Sequence, residues 1–412
     1  MTAQRAVPTG LAMLLALMSI LSPFSIDTFF PALRNMQVEF GVDALQIQQA
    51  VTAYMLPYAI FSLLHGPLSD ALGRRPVVLA GMGLYALASL ACALAPGYGA
   101  LLAFRATQGI TAGAGMAVGR AVVRDLYDGP EAQRLANRVT MFFALAPAIA
   151  PIVGGWLFVA FGWRSIFVFL ALLGAAVCTA TWRMLPETLP PERRLPIHPL
   201  VLATQSWRVA SHGEFLLLAI AGGLSFCSMI TYVGAAPAIV LDHWGLGPTD
   251  FAALFVPGIG GMLLGAFLSS RMAGRLSPAR QLRIGYAASV AAGLLAALLD
   301  VLLPHPPMVL QQALFAACSI SVQLVTPVLM LRMLDLFPQA RGSAASVQSF
   351  LSLLLSSSFM GVIAPLVSHS MFGIALASLC ASILSAGGTL LAARLARAHA
   401  AAQAQPPTPA AS

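Results

Sequence analysis

The order of apolar and polar positions is the strongest signal in the chain. Apolar residues run in nearly unbroken blocks of about 20, the length a helix needs to cross a bilayer. Twelve such blocks can be placed, at about 10–33, 46–65, 76–95, 99–121, 136–159, 164–184, 213–236, 250–270, 283–303, 308–331, 344–367 and 371–393. They are too long and continuous for the strands of a membrane barrel, whose apolar residues alternate over about ten positions. The first block also outlasts the roughly 7–15 apolar residues of a secretory signal, and no A-x-A cleavage pattern follows it. The pattern predicts an all-α polytopic membrane protein with twelve transmembrane helices, spans 1 to 12.

The longest polar interruption, 185–212, holds LPETLPPERRLPIHP. Its Pro and Arg content reads as a cytoplasmic linker between two six-helix halves, 10–184 and 213–393. A 6+6 construction is the mark of a repeat-built transporter with its site between the halves near midplane. Residues 1–9 form a cytoplasmic N-terminus, and 394–412, rich in Ala, Gln and Pro, read as a disordered cytoplasmic tail. An even number of spans puts both termini on one side. Of the 22 arginines, Arg34 and Arg164 then fall on the opposite side, Arg105 falls inside a span, and the remaining 19 share the side of the termini. The positive-inside rule therefore places both termini in the cytoplasm. All five Trp fall at or near span ends, as interfacial anchors do.

Composition narrows the class. The chain is 59% hydrophobic and 9% charged, against about 45–50% and about 25% in soluble domains. Soluble enzymes, DNA-binding proteins and disordered chains are excluded together. The net charge of +8 follows from arginines on the inner side and carries no nucleic-acid signal. The five cysteines (Cys92, Cys178, Cys227, Cys318, Cys380) show no CxxC spacing, and the seven histidines are scattered. Neither a disulfide framework nor a metal site is legible. No paired acids, His cluster or Ser/His arrangement lies at membrane depth, so no catalytic site and no cofactor are expected.

Two charges inside spans stand out. Asp27 is the only acid deep in the N-terminal half, within LSPFSIDTFFPAL, and an intramembrane acid is a functional-site hypothesis by default. Arg105 in span 4 faces an insertion penalty of about 2.5–3.5 kcal/mol and needs a partner. Each lies about 9 Å below the outer end of its span, a depth that permits contact between them. Both are candidates for proton coupling. In the C-terminal half, Glu214 and Asp300 sit close to span ends, so a proton path should run through the N-terminal half.

Three further stretches combine into a recognisable set. The 2–3 loop reads GPLSDALGRRPVVL, with Gly66, Pro67 and Gly73 suited to a turn and Asp70, Arg74 and Arg75 able to pair across the cytoplasmic face. Span 4 carries Arg105, Gln108 and Gly109; span 5 carries Ala150, Pro151, Gly154 and Gly155. These resemble motifs A (G-x-x-x-D-R-x-G-R-R), B (R-x-x-Q-G) and C (G-P-x-x-G-G) of the major facilitator superfamily. Ala71 stands where motif A commonly has Arg, and Ala150 stands for the first Gly of motif C. The second half holds RMAGRLSPAR, a decayed copy of motif A without the acid. The resemblance implies the major facilitator fold. It also implies an Asp70 latch near the start of span 11 at Arg341, a role for motif B in proton coupling, and antiport from motif C. With the D-x-x-x-P pattern of Asp27 and Pro31, RDLY at 124–127 and TYVGAAPAIVLDHWGLGPTDF, the chain resembles the Bcr/CflA group of twelve-span drug:proton antiporters over about 10–395. Multidrug relatives carry a second acid in span 1 where Ser19 or a neighbour stands here.

Aromatic and Met residues suited to an adaptable apolar cavity are Phe24, Tyr54, Tyr58, Met141, Phe142, Phe226, Met229 and Tyr232, with Pro31 beside Asp27. The expected protein is an inner-membrane, monomeric exporter driven by the proton gradient alone. Its cargo would be small amphipathic compounds such as phenicol-, sulfonamide- or bicyclomycin-like drugs. An exporter of one specific metabolite on the same fold stays open, as does a non-transporting receptor or scaffold.

Overall fold

The computed structural model describes residues 9–127, 129–194, 199–303 and 305–404, and all regular structure among them is helical. Residues 1–8 of the expected N-terminal segment, 195–198 of the linker and 405–412 of the tail lie outside the described residues. Every predicted block is occupied by helix. Among the described residues, ten helical runs are long and apolar enough to cross a membrane, and the pair Ala44–Ser62 and His65–Leu72, bent by 51°, makes span 2 an eleventh. Span 4, Tyr98–Leu126, does not qualify on length and apolarity alone; it carries Arg105, Gln108, Arg120, Arg124 and Asp125.

Local chemistry sets the breaks. Span 1 is helical over Thr9–Asp27, turns through a 3₁₀ segment at Phe30–Ala32 and resumes as Leu33–Phe40. Pro31 has no N–H to give to the carbonyl four residues back, which belongs to Asp27, so the α-helical ladder ends there. Span 2 opens with a capping box: the Asp43 carboxylate accepts from the Gln46 N–H at 2.7 Å, and the Gln46 side chain accepts from the Asp43 N–H at 2.9 Å. Spans 5 and 6 are Gly129–Phe161 and Arg164–Met184; spans 7 and 8 are Gly213–Gly234 and Ala252–Met272. Spans 9 and 10 are Pro278–Leu302 and Met308–Asp335. Span 11 runs from Arg341 to Val367 through a π turn at Phe359–Ile363, and span 12 is Met371–Ala404.

The halves meet at one end, the end opposite the arginine-rich face. There Gln48 donates to the Gly234 carbonyl at 3.1 Å and Gln49 to the Gly361 carbonyl at 2.7 Å. Arg34 pairs with Asp242, and the Phe30 ring stacks on Phe255 at 6.5 Å. The largest apolar core runs through the N-terminal half and continues into outer-end residues of the other half, including Ile239, Phe251, Phe255 and Met360. A separate core, with Phe215, Leu282, Leu329 and Val347, holds the inner end of the C-terminal half alone. On the arginine-rich side, the ion pairs among the described residues each stay within one half or within the linker. The outer end is shut and the conformation faces the cytoplasm.

Several expectations need correction. Gly66 and Pro67 do not form the 2–3 turn but lie inside the helix His65–Leu72; the turn falls on Gly73 alone, at φ 104°. The linker segment holds a 3₁₀ turn at Pro191–Arg193 and a helix at Pro199–Ala210, neither of which was read from the sequence. Span 12 continues as helix to Ala404, past the expected start of a disordered tail at 394, because Ala and Arg favour helix and no Pro intervenes. Trp163 and Trp244 are packed rather than anchoring: they donate to Glu39 at 2.6 Å and Gln311 at 2.7 Å.

Closure of the outer end depends on close backbone approach at span 5. A side chain at Gly155 would run into the main chain of Pro248 and Thr249, between spans 7 and 8. Gly155→Val should therefore wedge the outer end open. A single cysteine at Ala236, fully buried there, should then gain severalfold in reactivity toward an impermeant maleimide applied from the periplasmic side.

Candidate functional site

Asp27 is the last residue of the first helix of span 1 and is buried. Among the described residues its carboxyl makes no hydrogen bond or ion pair. The next residue, Thr28, turns its side chain back onto the Phe24 carbonyl and sets its own carbonyl against Gly154 of span 5 so closely that any Cβ there would collide. Motif C thus seats directly on the Asp27 break through Gly154, and on the opposite half through Gly155. Ala150 and Pro151 are buried one turn earlier on the same helix.

Arg105 is fully buried and its contacts are not those the depth arithmetic permits. No ion pair joins it to Asp27. Its Nε donates to the Ala50 carbonyl at 3.0 Å, and Nη1 donates to the Ser25 carbonyl at 3.0 Å and to Gln108 Oε1 at 2.6 Å. The guanidinium lies 4.5 Å from the ring centre of Tyr54 and 4.6 Å from that of Phe29, with Phe167 at 5.9 Å. A desolvated cation–π contact contributes up to about 2 kcal/mol. Two near rings therefore offset most of the insertion penalty of about 2.5–3.5 kcal/mol without any anion. Gln108 passes the linkage on, donating to Ser89 Oγ at 2.7 Å, and Ser25 and Tyr85 hydroxyls meet at 2.5 Å. Gly109 lets span 4 lie against the Tyr54 main chain. Motif B is the hub of spans 1, 2, 3, 4 and 6.

Motif A closes on its own half. Arg74 donates to Asp70 at 2.5 Å, to Ser69 at 2.6 Å and to Asp125 at 3.0 Å. Glu187, beyond span 6, accepts from the backbone N–H of Arg74 at 3.0 Å and of Arg75 at 3.3 Å, while Arg75 donates to the Trp182 carbonyl at 2.6 Å. Asp70 does not contact the start of span 11, where Arg341 lies 3.8 Å from Asp335. In this inward-facing arrangement the inner ends are apart, so the acid serves its neighbour four residues on. Glu187 and Asp125 were not legible as site residues, because the linker acid has no motif and Asp125 sits at a span end.

The expected cavity residues separate into two groups. Phe24 packs on Phe169, Tyr54 lies under Arg105, and Pro31 is buried in the 3₁₀ turn. Tyr232 packs on Phe315 at 4.9 Å, Met229 is buried, and Phe226 is half-buried. The cavity on the cytoplasmic side of the N-terminal half has a volume of about 500 Å³ and lies between spans 1, 4 and 5. Ser19, Met116, Arg120, Arg124, Thr140 and Phe143 line it, and Tyr58 borders it through its hydroxyl at 3.9 Å from Met116 Sδ. Met141 and Phe142 fall outside. At 100° per residue, Ala136, Thr140 and Phe143 share one face of span 5, and Met141 and Phe142 point away from it. His65, buried at the span 2 bend with an unpartnered Nδ1, was also missed.

The family model of the Major Facilitator Superfamily matches residues 15–361. The MFS-type transporter YdgK of Bacillus subtilis is 31% identical, over 87% of this chain and 90% of its own length. The bicyclomycin resistance protein homolog of Haemophilus influenzae is 28% identical, over 81% and 83%. Among solved structures, a bacterial homolog of the human lysosomal transporter Spinster superposes with a TM-score of 0.69 at 15% identity, over 95% of this chain and 98% of that one.

The Arg105 geometry makes a direct prediction. Arg105→Lys keeps the charge but loses the fork that reaches three acceptors on three spans. A lost hydrogen bond to a charged group is worth about 1.5–3 kcal/mol. The variant should show a lower midpoint of thermal unfolding in detergent and weaker transport, and Arg105→Ala should fail to accumulate.

Proposed function

The chain belongs to the Major Facilitator Superfamily, and from that membership we propose that this multi-pass protein of the cytoplasmic membrane is a proton-coupled drug exporter. The observation that carries the proposal is the Asp27 carboxyl. It sits at the Pro31 break of span 1, buried and unpaired, while Nε and Nη1 of Arg105 are bound by carbonyls and Gln108 and its Nη2 has no hydrogen-bond partner among the described residues. An ionised carboxylate without a partner is costly away from water. Binding a proton removes that cost, and so does a polar group of a substrate brought alongside. Proton and substrate then compete for Asp27, and the different stabilities of the two loaded forms drive the rocking of the halves. The Thr28–Gly154 and Gly155–Pro248 contacts support this coupling, since they join the acid to the outer closure through one turn of span 5.

The lining of the inner cavity supports a cargo class. Arg120 and Arg124 line it and, among the described residues, no acid does. A cavity with that field favours neutral or electron-rich amphipathic compounds over cations. This agrees with phenicol-, sulfonamide- and bicyclomycin-like cargo, and the Haemophilus relative is itself a homolog of a bicyclomycin resistance protein. The proton gradient is the energy source in this reading, with no cofactor required, and the monomer is the working unit.

The test is proton flux in everted vesicles energised to an acid interior. Bicyclomycin or a phenicol should alkalinise the interior in wild type, and Asp27→Asn should reduce the signal to background with normal membrane insertion. Cationic dyes should give the weakest response. Undiminished flux in Asp27→Asn would remove the acid from the mechanism. Silence across the panel from inserted, folded protein would favour export of a single metabolite.

A further inference from the structure

One cavity in the C-terminal half has no place in the transport cycle proposed above. It has a volume of about 1420 Å³ and lies at the cytoplasmic end of the C-terminal half, among spans 8, 9, 10 and 12. Four arginines line it, Arg275, Arg283, Arg332 and Arg397, against one acid, Asp335. Arg332 is engaged by Glu214 at 2.7 Å, and Asp335 faces Arg341 at 3.8 Å. Arg275, Arg283 and Arg397 have no anionic partner among the described residues.

Internal comparison shows what is missing. Gly73 and Gly274 both turn with positive φ, 104° and 74°, at the matching 2–3 and 8–9 connections. Three residues before the first stands Asp70; three residues before the second stands Arg271. The Glu187 carboxylate presses on Gly73 and binds the backbone that follows it, whereas nothing lies within 4 Å of the corresponding position at Gly274. The C-terminal half has the turn and the cations but no counterpart of Asp70 or Glu187 at that turn.

We propose that this cavity binds the phosphate of an anionic phospholipid from the inner leaflet. The deeper wall is apolar, with Leu282, Val328, Leu331 and Leu390, and reaches Tyr286, about 12 Å along span 9 from Pro278. Its polar atoms are already satisfied: Tyr286 bonds Thr389 at 2.6 Å, and Gln281 bonds Ser269 at 2.9 Å. A headgroup phosphate meets the rim arginines and an acyl chain meets the wall. A second recess of about 600 Å³ adjoins it, lined by Arg280, Arg283, Ile284 and Ala287. Ile284 is exposed there, which gives the chain a path toward the bilayer. Basic pockets between helices on the cytoplasmic side suit such lipids.

The experiment is native mass spectrometry of the full chain released from nanodiscs. With phosphatidylglycerol in a phosphatidylethanolamine background, one anionic lipid should be retained selectively. The pair Arg275→Gln and Arg283→Gln should lower retention about fivefold per arginine, roughly 25-fold together. The pair Arg208→Gln and Arg394→Gln removes the same charge outside the cavity and should change little. If the first pair does not fold, Arg275→Gln alone carries the test. Equal retention of both lipids, or equal loss in the two pairs, would overturn the proposal. So would displacement of the lipid by millimolar inorganic phosphate, which would mark a site for soluble phosphate.

Discussion

The arrangement of the N-terminal half depends on a guanidinium buried without a counter-anion. Arg105 is held by carbonyls on spans 1 and 2, by its own helical neighbour Gln108, and by the faces of Phe29, Tyr54 and Phe167, with Nη2 left without a hydrogen-bond partner among the described residues. These contacts come from spans 1, 2, 4 and 6, so the cation holds four spans in register. It also leaves Asp27 alone. An Asp27–Arg105 ion pair would have neutralised both groups and locked them. Placing the cation among dipoles and rings instead leaves the acid without an ion pair.

A second constraint is the close approach of main chains at motif C. Pro31 ends the hydrogen-bond ladder at Asp27, and Thr28 then projects a carbonyl that only a glycine at 154 can accommodate. The neighbouring Gly155 admits the segment after span 7 in the same way. Acid, helix break and outer closure are therefore one mechanical unit. Among the described residues the inner ends show no such seam, since Asp70, Asp125 and Glu187 are spent on Arg74 and the backbone beside it. The two halves treat a common turn differently: the first fills it with carboxylates, and the second leaves a basic, unfilled cavity.

Much of this was legible in order alone. The apolar blocks and the arginine bias follow from hydrocarbon thickness and from the preference for cations on the inner side, both of which act on composition within a window. Asp27 and Arg105 stood out because a charge in such a block is rare. The D-x-x-x-P spacing was legible only as part of a family resemblance; that the helix breaks there came with the structure.

What remained hidden were relations between helices. Depth arithmetic placed Asp27 and Arg105 level but gave no bearing around each helix axis, and the bearing decides that Arg105 meets carbonyls and rings. Aromatic and Met content named Met141 and Phe142, yet the cavity belongs to Thr140 and Phe143, one residue away on either side of that pair. The open cavity beside Gly274 was visible only as a motif without its acid. A sequence sets which residues must leave water and where a helix must break. Which faces then meet is decided by packing across spans far apart in the chain, and only the tertiary structure holds that information.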